Sequence, residues 1–491
     1  MTSVATTRAP LRLVDVRRMA TARLLHDRFG LPLGLFGAHA VLGFLMANVS
    51  GVSTLHAITT AVVVLWIGLR GKRLEHIALA AGYAAFCDVL WRVTDAQFFY
   101  EGAKYLVVAV LAGGWIRLAR TTRLAALPLG YLGLLLPSAV LTYVALGSSE
   151  IRDAISFNLS GPLALAVACA FFLQIRMGWL EARGVLLAAL GPIVALASAV
   201  TYRTSQVDLL TFGTQSDVQT SGGFGPNQVS TILAAGALCC LLLVIAERRL
   251  APRLLLAALG LWFFGQAVFT FSRGGLYDLA GGAACILLVA LVDRSLRWKV
   301  LRGAIIMAAL SLVVFTSLDS FTSGALSDRF SSTDTTGRTE IASGDLDLFT
   351  ENPLAGVGPG MAQYSRTGFR SEAAHTEFSR MLSEHGVLGL AALGLLLALI
   401  VSAVVNAPTV WGRAISLSLT AFAALAMTNA AMRNAAPAFL FGLGMARIGP
   451  RRRPSPRPEA DDAEEVPVRP VVRREAPPLP RSTLIQPRTW S

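Results

Sequence analysis

Three short stretches hold the residues best equipped for chemistry. "AAHTEFSRMLSEHGVLGL" (373–390) sets His375, Glu377, Arg380, Glu384 and His385 ahead of a long apolar run. "FTFSRGGLYD" (269–278) sets Ser272, Arg273 and a Gly-Gly pair between two apolar runs with almost no connection. "SGGFGPNQVS" (221–230) leads glycines into a proline and Asn227. Histidine, with an ordinary pKa near ~6.5, can take a proton from a hydroxyl around neutrality. The planar fork of arginine fits phosphate, and glycines beside Arg273 would let backbone approach a ligand closely. A proline suits the first turn of a helix, whose free amides favour an anion. Together these residue types describe a site for an anionic, phosphate-bearing group with a titratable histidine nearby. By helical spacing His375, Ser379, Leu382 and Gly386 share one face, which predicts His375 about 16 Å above Gly386 at 1.5 Å of rise per residue. A bend at Gly386 would let the histidine roof a cavity floored by Arg273. His385, nearer the apolar run, reads as an interfacial residue. Asp88 and Arg92, four apart on one helix, read as a self-satisfied structural pair.

The elements that must position these residues are membrane-spanning. The chain has 491 residues, 54% of them hydrophobic and 15% charged, with mean hydropathy +0.58. A soluble domain could not hide that much apolar surface. Apolar stretches of about 17–22 residues between short basic turns predict an all-α, polytopic integral membrane protein with about 12–14 transmembrane helices. The spans fall near 31–48, 53–69, 76–94, 104–116, 124–146, 159–175, 184–202, 228–246, 254–271, 276–292, 303–318, 386–406, 414–431 and 435–447. Nothing shows the ~10-residue alternating segments of a β-barrel. The net charge of +13 is assigned to cytoplasmic loops, not to a nucleic-acid surface. Cys87, Cys169, Cys239, Cys240 and Cys285 lie in apolar runs with neither metal spacing nor disulfide placement. The first apolar run is followed by others and reads as an anchor, not a cleavable signal.

Charge sets the expected orientation. With the N-terminus in the cytoplasm, the inside connections include "RGKR" (70–73), "RLARTTR" (117–123), "ERRLAPR" (247–253) and "ARIGPRRR" (446–453), all basic. The outside connections are neutral, acidic or lightly basic, so both termini are expected on the cytoplasmic side of the inner membrane. Residues 1–30 read as a basic segment, 31–447 as the membrane domain, and 448–491 as a disordered Pro/Arg-rich tail. One outside connection, about 319–385, is far longer than the others. It is not low-complexity and reads as an ordered functional loop with helices near 338–350 and 373–385. The outward side then offers Arg203, Asn227, Arg273, Arg338, Arg366, Arg370, His375, Arg380 and Arg433. Such a set implies an anionic ligand at head-group depth, which a lipid-borne phosphate or pyrophosphate satisfies.

"FTFSRGGL", "TGRTE", "ENPLAGVGPGMAQY" and "AAHTEFSRMLSEHGVLGL", in that order, resemble the O-antigen ligase and O-antigen polymerase superfamily, and "GGFGPNQ" resembles its glycine-to-asparagine motif. The resemblance covers about 200–406. It implies a membrane glycosyltransferase that takes a glycan from a polyprenyl-pyrophosphate donor at the outer leaflet, with no metal or cofactor. The acceptor is a lipid, a protein or another glycan. In this picture Arg273, after Ser272, holds the pyrophosphate. His375 acts as general base on the acceptor hydroxyl or orients it. Arg338 is a further phosphate or packing residue, Asn227 belongs to the upstream motif, and Glu384 is the acidic residue before the glycine-rich start of the span. Three departures stand out: Thr376 where asparagine is frequent, no tryptophan in "RTEIASGDLDLF", and Gln219 where an arginine is frequent, leaving Arg203 to supply that cation. A ligase is the first expectation, a polymerase joining lipid-linked repeats the alternative. A lipid-linked glycan transporter is the less favoured one, since its arginines would line a central cavity and no inverted repeat is visible.

Overall fold

Apolar runs become helices because lipid offers the backbone no hydrogen-bond partner. In the computed structural model the described residues are 30–118, 125–146, 148–210, 212–213, 215–335, 337–368, 372–429 and 432–450. The basic N-terminal segment, most of "RLARTTR", Arg370 and the tail beyond 450 lie outside them. The helices are α1 (Gly30–Asn48), α2 (Ser50–Arg70), α3 (Leu74–Val93), α4 (Gly102–Leu118), α5 (Ala126–Leu135), α6 (Ala139–Ala145), α7 (Ser148–Phe172), α8 (Trp179–Ser205), α9 (Pro226–Ala246), α10 (Leu250–Phe269), α11 (Arg273–Val292) and α12 (Arg294–Phe321). After them come the short α13 (Ala325–Ser331), α14 (Arg338–Glu351) and α15 (Ala362–Ser365), then α16 (Glu377–Val405), α17 (Val410–Ala426) and α18 (Ala435–Gly444). Ten helical stretches among the described residues are long and apolar enough to cross a membrane, and three shorter apolar helices accompany them. The all-α, multi-pass architecture read from the sequence is the one observed.

Burial separates inner helices from lipid-facing ones. In α9, 83% of the most apolar window is buried, and in α3, α7 and α8 72%, against 6% in α12. Small residues let the inner helices approach closely: Ala80, Ala81, Ala84 and Ala85 of α3 are all buried, where α3 packs along α8. The span expected at 124–146 is split, because Pro137 has no N–H to continue α5 and the chain restarts as α6.

The connections sort to two ends. At one, β1 (Arg176–Met177) pairs in parallel with β2 (Arg447–Ile448), and Arg183 meets Glu247 at 3.2 Å. At the other, the segments around residues 95–100, 203, 227, 272, 338, 374 and 433 bond to one another. Connections that charge assigns to one side thus meet at one end. The long loop begins later than expected, since α12 runs to Phe321. Its helix near 338–350 is α14. The one expected at 373–385 starts only at Glu377, where Thr376 caps it by accepting from the Phe378 amide, and continues into the membrane as α16.

Candidate functional site

Three helix starts converge at the loop end. α9 opens at Pro226, α11 at Arg273 and α14 at Arg338, and none has a side-chain cap. Asn227 ties them together: its Oδ1 accepts the Ser272 hydroxyl at 2.8 Å and an Arg338 N–H at 3.2 Å. Ser272 stands at the N-cap of α11 yet spends its hydroxyl on Asn227. Uncapped amides and aligned peptide dipoles put partial positive charge at each start, so their meeting favours an anion before any side chain is counted.

The arginines here divide by their partners. Arg203 pairs with Asp95 at 2.7 Å, Arg366 with Asp345 at 3.2 Å, and Arg92 with Asp88 at 2.8 Å. Arg380 is clasped by Glu377 and by Glu384, the latter at 2.6 Å. Arg273, Arg338 and Arg433 bond neutral oxygens instead. Arg273 donates to the Ser332 and Asp334 carbonyls, Arg338 to Asn227, and Arg433 to the Ala374 carbonyl at 3.1 Å. Among the described residues none of these three has a carboxylate partner. Burial and then the charges of Arg329, Arg273 and Arg433 push Arg338 below the usual arginine range, so the four cations share one neighbourhood.

His375 lies against this cluster. Burial, then Arg433, Arg338 and Arg366, lower its pKa to about 4. Its Nδ1 is buried and makes no hydrogen bond among the described residues. The segment carrying it is held from several sides. Glu377 N donates to the Met427 carbonyl at 2.7 Å, Arg433 holds Ala374, and Ser379 donates to Asp345 of α14 at 2.8 Å. Behind it α16 breaks at Gly386, with φ 61° and ψ −139°. The break frees the carbonyls of Ser383 and Glu384 to accept the amides of Val357 and Gly358 at 2.9 and 3.0 Å, while Val387 N turns to Pro353 O at 2.7 Å. A Cβ on Gly356 or Gly386 would collide with the opposite backbone, so both must be glycine for "NPLAGVGPG" to pack into the break.

Several sequence expectations change. His375 precedes the helix instead of projecting from it, so the shared face with Ser379 and Leu382 does not set its direction. His385 is fully buried and bonded to Ser138, not interfacial. Gly274 and Gly275 make room for other helices, not a ligand: Cβ atoms there would meet Asn429 and Ser230. Glu384 is buried as a partner of Arg380, and Arg203 is engaged by Asp95. Asp88 and Arg92 do form the expected pair, though Arg92 also reaches Gln228 at 2.7 Å. Arg329 was missed. It sits in α13, a seven-residue helix with no periodic signal, and donates to the Phe271 carbonyl at 3.1 Å. Arg433 was legible only as one outward cation among several.

Residues 258–394 match the O-antigen ligase family. The chain carries an O-antigen ligase domain. No curated protein matches the chain. The O-antigen ligase domain runs from within α10 into α16 and contains Arg273, Arg329, Arg338, His375 and Glu384. Asn227 and Arg433, which complete the cluster, lie on either side of it. The chain is thus a glycosyltransferase-like membrane enzyme with a glycan ligase- or polymerase-like role.

Proposed function

We propose that this enzyme moves a glycan from a polyprenyl-pyrophosphate donor to an acceptor hydroxyl at the outward face of the cytoplasmic membrane, with arginines rather than a metal neutralising the leaving group. The observation that carries this reading is the trio Arg273, Arg338 and Arg433, without carboxylate partners among the described residues, around three helix starts and beside a neutral histidine. The pyrophosphate fits between Arg273, Arg338 and the first turn of α11. His375 Nδ1 takes the proton of the acceptor hydroxyl as its oxygen bonds the anomeric carbon. The bond from that carbon to the pyrophosphate oxygen breaks, and the electron pair leaves on phosphate, where the arginines stabilise it. Attack opposite the leaving group inverts the anomeric centre. Arg203, held by Asp95, is not needed as a substitute for a cation at Gln219.

The low pKa of His375 suits this order of events. Buried, and then surrounded by cations, the imidazole is a weak base. A bound pyrophosphate offsets the arginines' share of that depression and raises its affinity for the acceptor's proton.

The test replaces Arg273→Ala and His375→Ala, confirms membrane levels, and follows both the lipid-linked glycan and the transfer product. Arg273→Ala is expected to slow transfer by roughly 10²–10³-fold, and His375→Ala by roughly 10²–10⁴-fold. Normal transfer by both variants sinks the proposed site.

A further inference from the structure

Beside Ala374 the protein opens into a cavity of about 960 Å³, within the size range of ligand sites. Its walls come largely from outside the matched domain, from the end of the α3–α4 connection and the first turns of α7, and are completed from within it by residues around α15. Two properties of this wall are unusual together. First, it displays aromatic faces. Phe99, Tyr100 and Tyr364 are 59%, 38% and 54% exposed, and Tyr100 lies 6.0 Å from Phe157, centroid to centroid. The Arg92 guanidinium packs 3.8 Å from the Tyr100 centroid on this ring and fixes its orientation. Second, the wall is polar without being cationic away from Arg433. Ser156, Asn158 and Gln363 line it, Arg152 sits 3.5 Å from Asp153, and Arg380 is consumed by Glu377 and Glu384. Glu101 and Glu150 are the remaining charges on that wall.

A sugar ring has an apolar C–H face and a rim of hydroxyls. Aromatic faces take the first, and amides, hydroxyls and carboxylates take the second. A phosphorylated or otherwise anionic group would instead meet Glu101 and Glu150 with like charge. Resting on the donor reading above, we infer that this cavity holds the acceptor, and that the acceptor end is an uncharged glycan several sugars long rather than a phosphorylated lipid head group. The cavity borders Ala374, the residue before His375, and on this assignment the acceptor hydroxyl is presented to the histidine at that edge. Transfer then joins glycan to glycan. The acceptor hydroxyl gives its proton to His375, its oxygen bonds the donor's anomeric carbon, and polyprenyl pyrophosphate departs with the electron pair of the broken bond. The product is a lengthened glycan, the outcome of a polymerase-type reaction.

The test uses the full chain in lipid nanodiscs and two probes. One is the phosphate-free glycan released by mild acid from the host's own polyprenyl-pyrophosphate donor. The other is bare polyprenyl pyrophosphate. The wild-type protein is expected to bind both. The double variant Tyr100→Ala, Tyr364→Ala is expected to bind the free glycan at least roughly tenfold more weakly and the bare carrier as before, which also reports that it is folded. Arg273→Ala is expected to show the reverse pattern. If the free glycan fails to bind, or binds the double variant equally well while the carrier still binds, the cavity assignment is overturned and the donor reading stands. Carrier binding unchanged by Arg273→Ala overturns the donor reading instead.

Discussion

At the scale of single residues, His375 is a base whose strength is set by its neighbours. Burial and three arginines bring its pKa to about 4. The acid limb of kcat/KM, which reports the free enzyme, is therefore expected near pH 4. The limb of kcat, which reports the loaded enzyme, is expected at higher pH, because bound pyrophosphate offsets the arginines. Coincident limbs in a pH series would argue that no anion binds beside His375. The same shift bears on stability. A group held at about 4 when folded and at 6.5 when unfolded binds more protons in the unfolded state between those values. Its contribution is present above pH 6.5 and is lost as pH falls toward 4. Chemical type made His375, Arg273, Arg338 and Asn227 legible in the sequence. What it withheld was pairing: Arg203, Arg366 and Arg380 look like Arg433 in a string of letters, and only the fold shows that each of the three has a carboxylate partner.

At the scale of elements, α16 does two jobs on either side of Gly386. Below it the helix spans the membrane; above it the helix accepts the "NPLAGVGPG" turn and carries the histidine at its head. Gly386→Ala forces an L-residue into backbone that favours glycine and drives its Cβ into Pro353 and Leu354. The expected result is loss of folded protein in detergent, seen as early elution of aggregate, with a cost of at least about 1–3 kcal/mol. Arg380→Ala leaves Glu377 and Glu384 buried without their cation. It is expected to lower stability by about 3–5 kcal/mol, measured as a reduced unfolding temperature, without changing the donor-binding arginines. A bend at Gly386 was foreseeable from the sequence. The true start of the helix was not, because Thr376 as a cap and Ser379 as a tether act through hydrogen bonds that periodicity does not report.

At the scale of the whole molecule, the apolar spans were readable almost throughout, because span length and backbone satisfaction leave lipid-embedded chain few choices. The expected orientation is open to direct measurement. Four of the five native cysteines are buried, so background labelling is low. Ser365→Cys, exposed beside the cavity, is expected to react with a membrane-impermeant maleimide in intact cells. Arg413→Cys, exposed near the opposite end, is expected to react only after lysis. Equal labelling of both would refute the topology. The cavity, by contrast, was invisible in the sequence, since Tyr100, Phe157 and Tyr364 are far apart along the chain and become neighbours only when α3, α4, α7 and the long loop pack together.

The trio Arg273, Arg338 and Arg433 has a cost for turnover. On the proposed chemistry, the group these cations neutralise best is the one left behind after transfer: the spent carrier has gained a negative charge on the pyrophosphate oxygen released from the sugar, while the glycan that helped hold the donor has gone. The spent carrier then competes with fresh donor for the same seat, and the enzyme's throughput is governed by how quickly the membrane removes and recycles it.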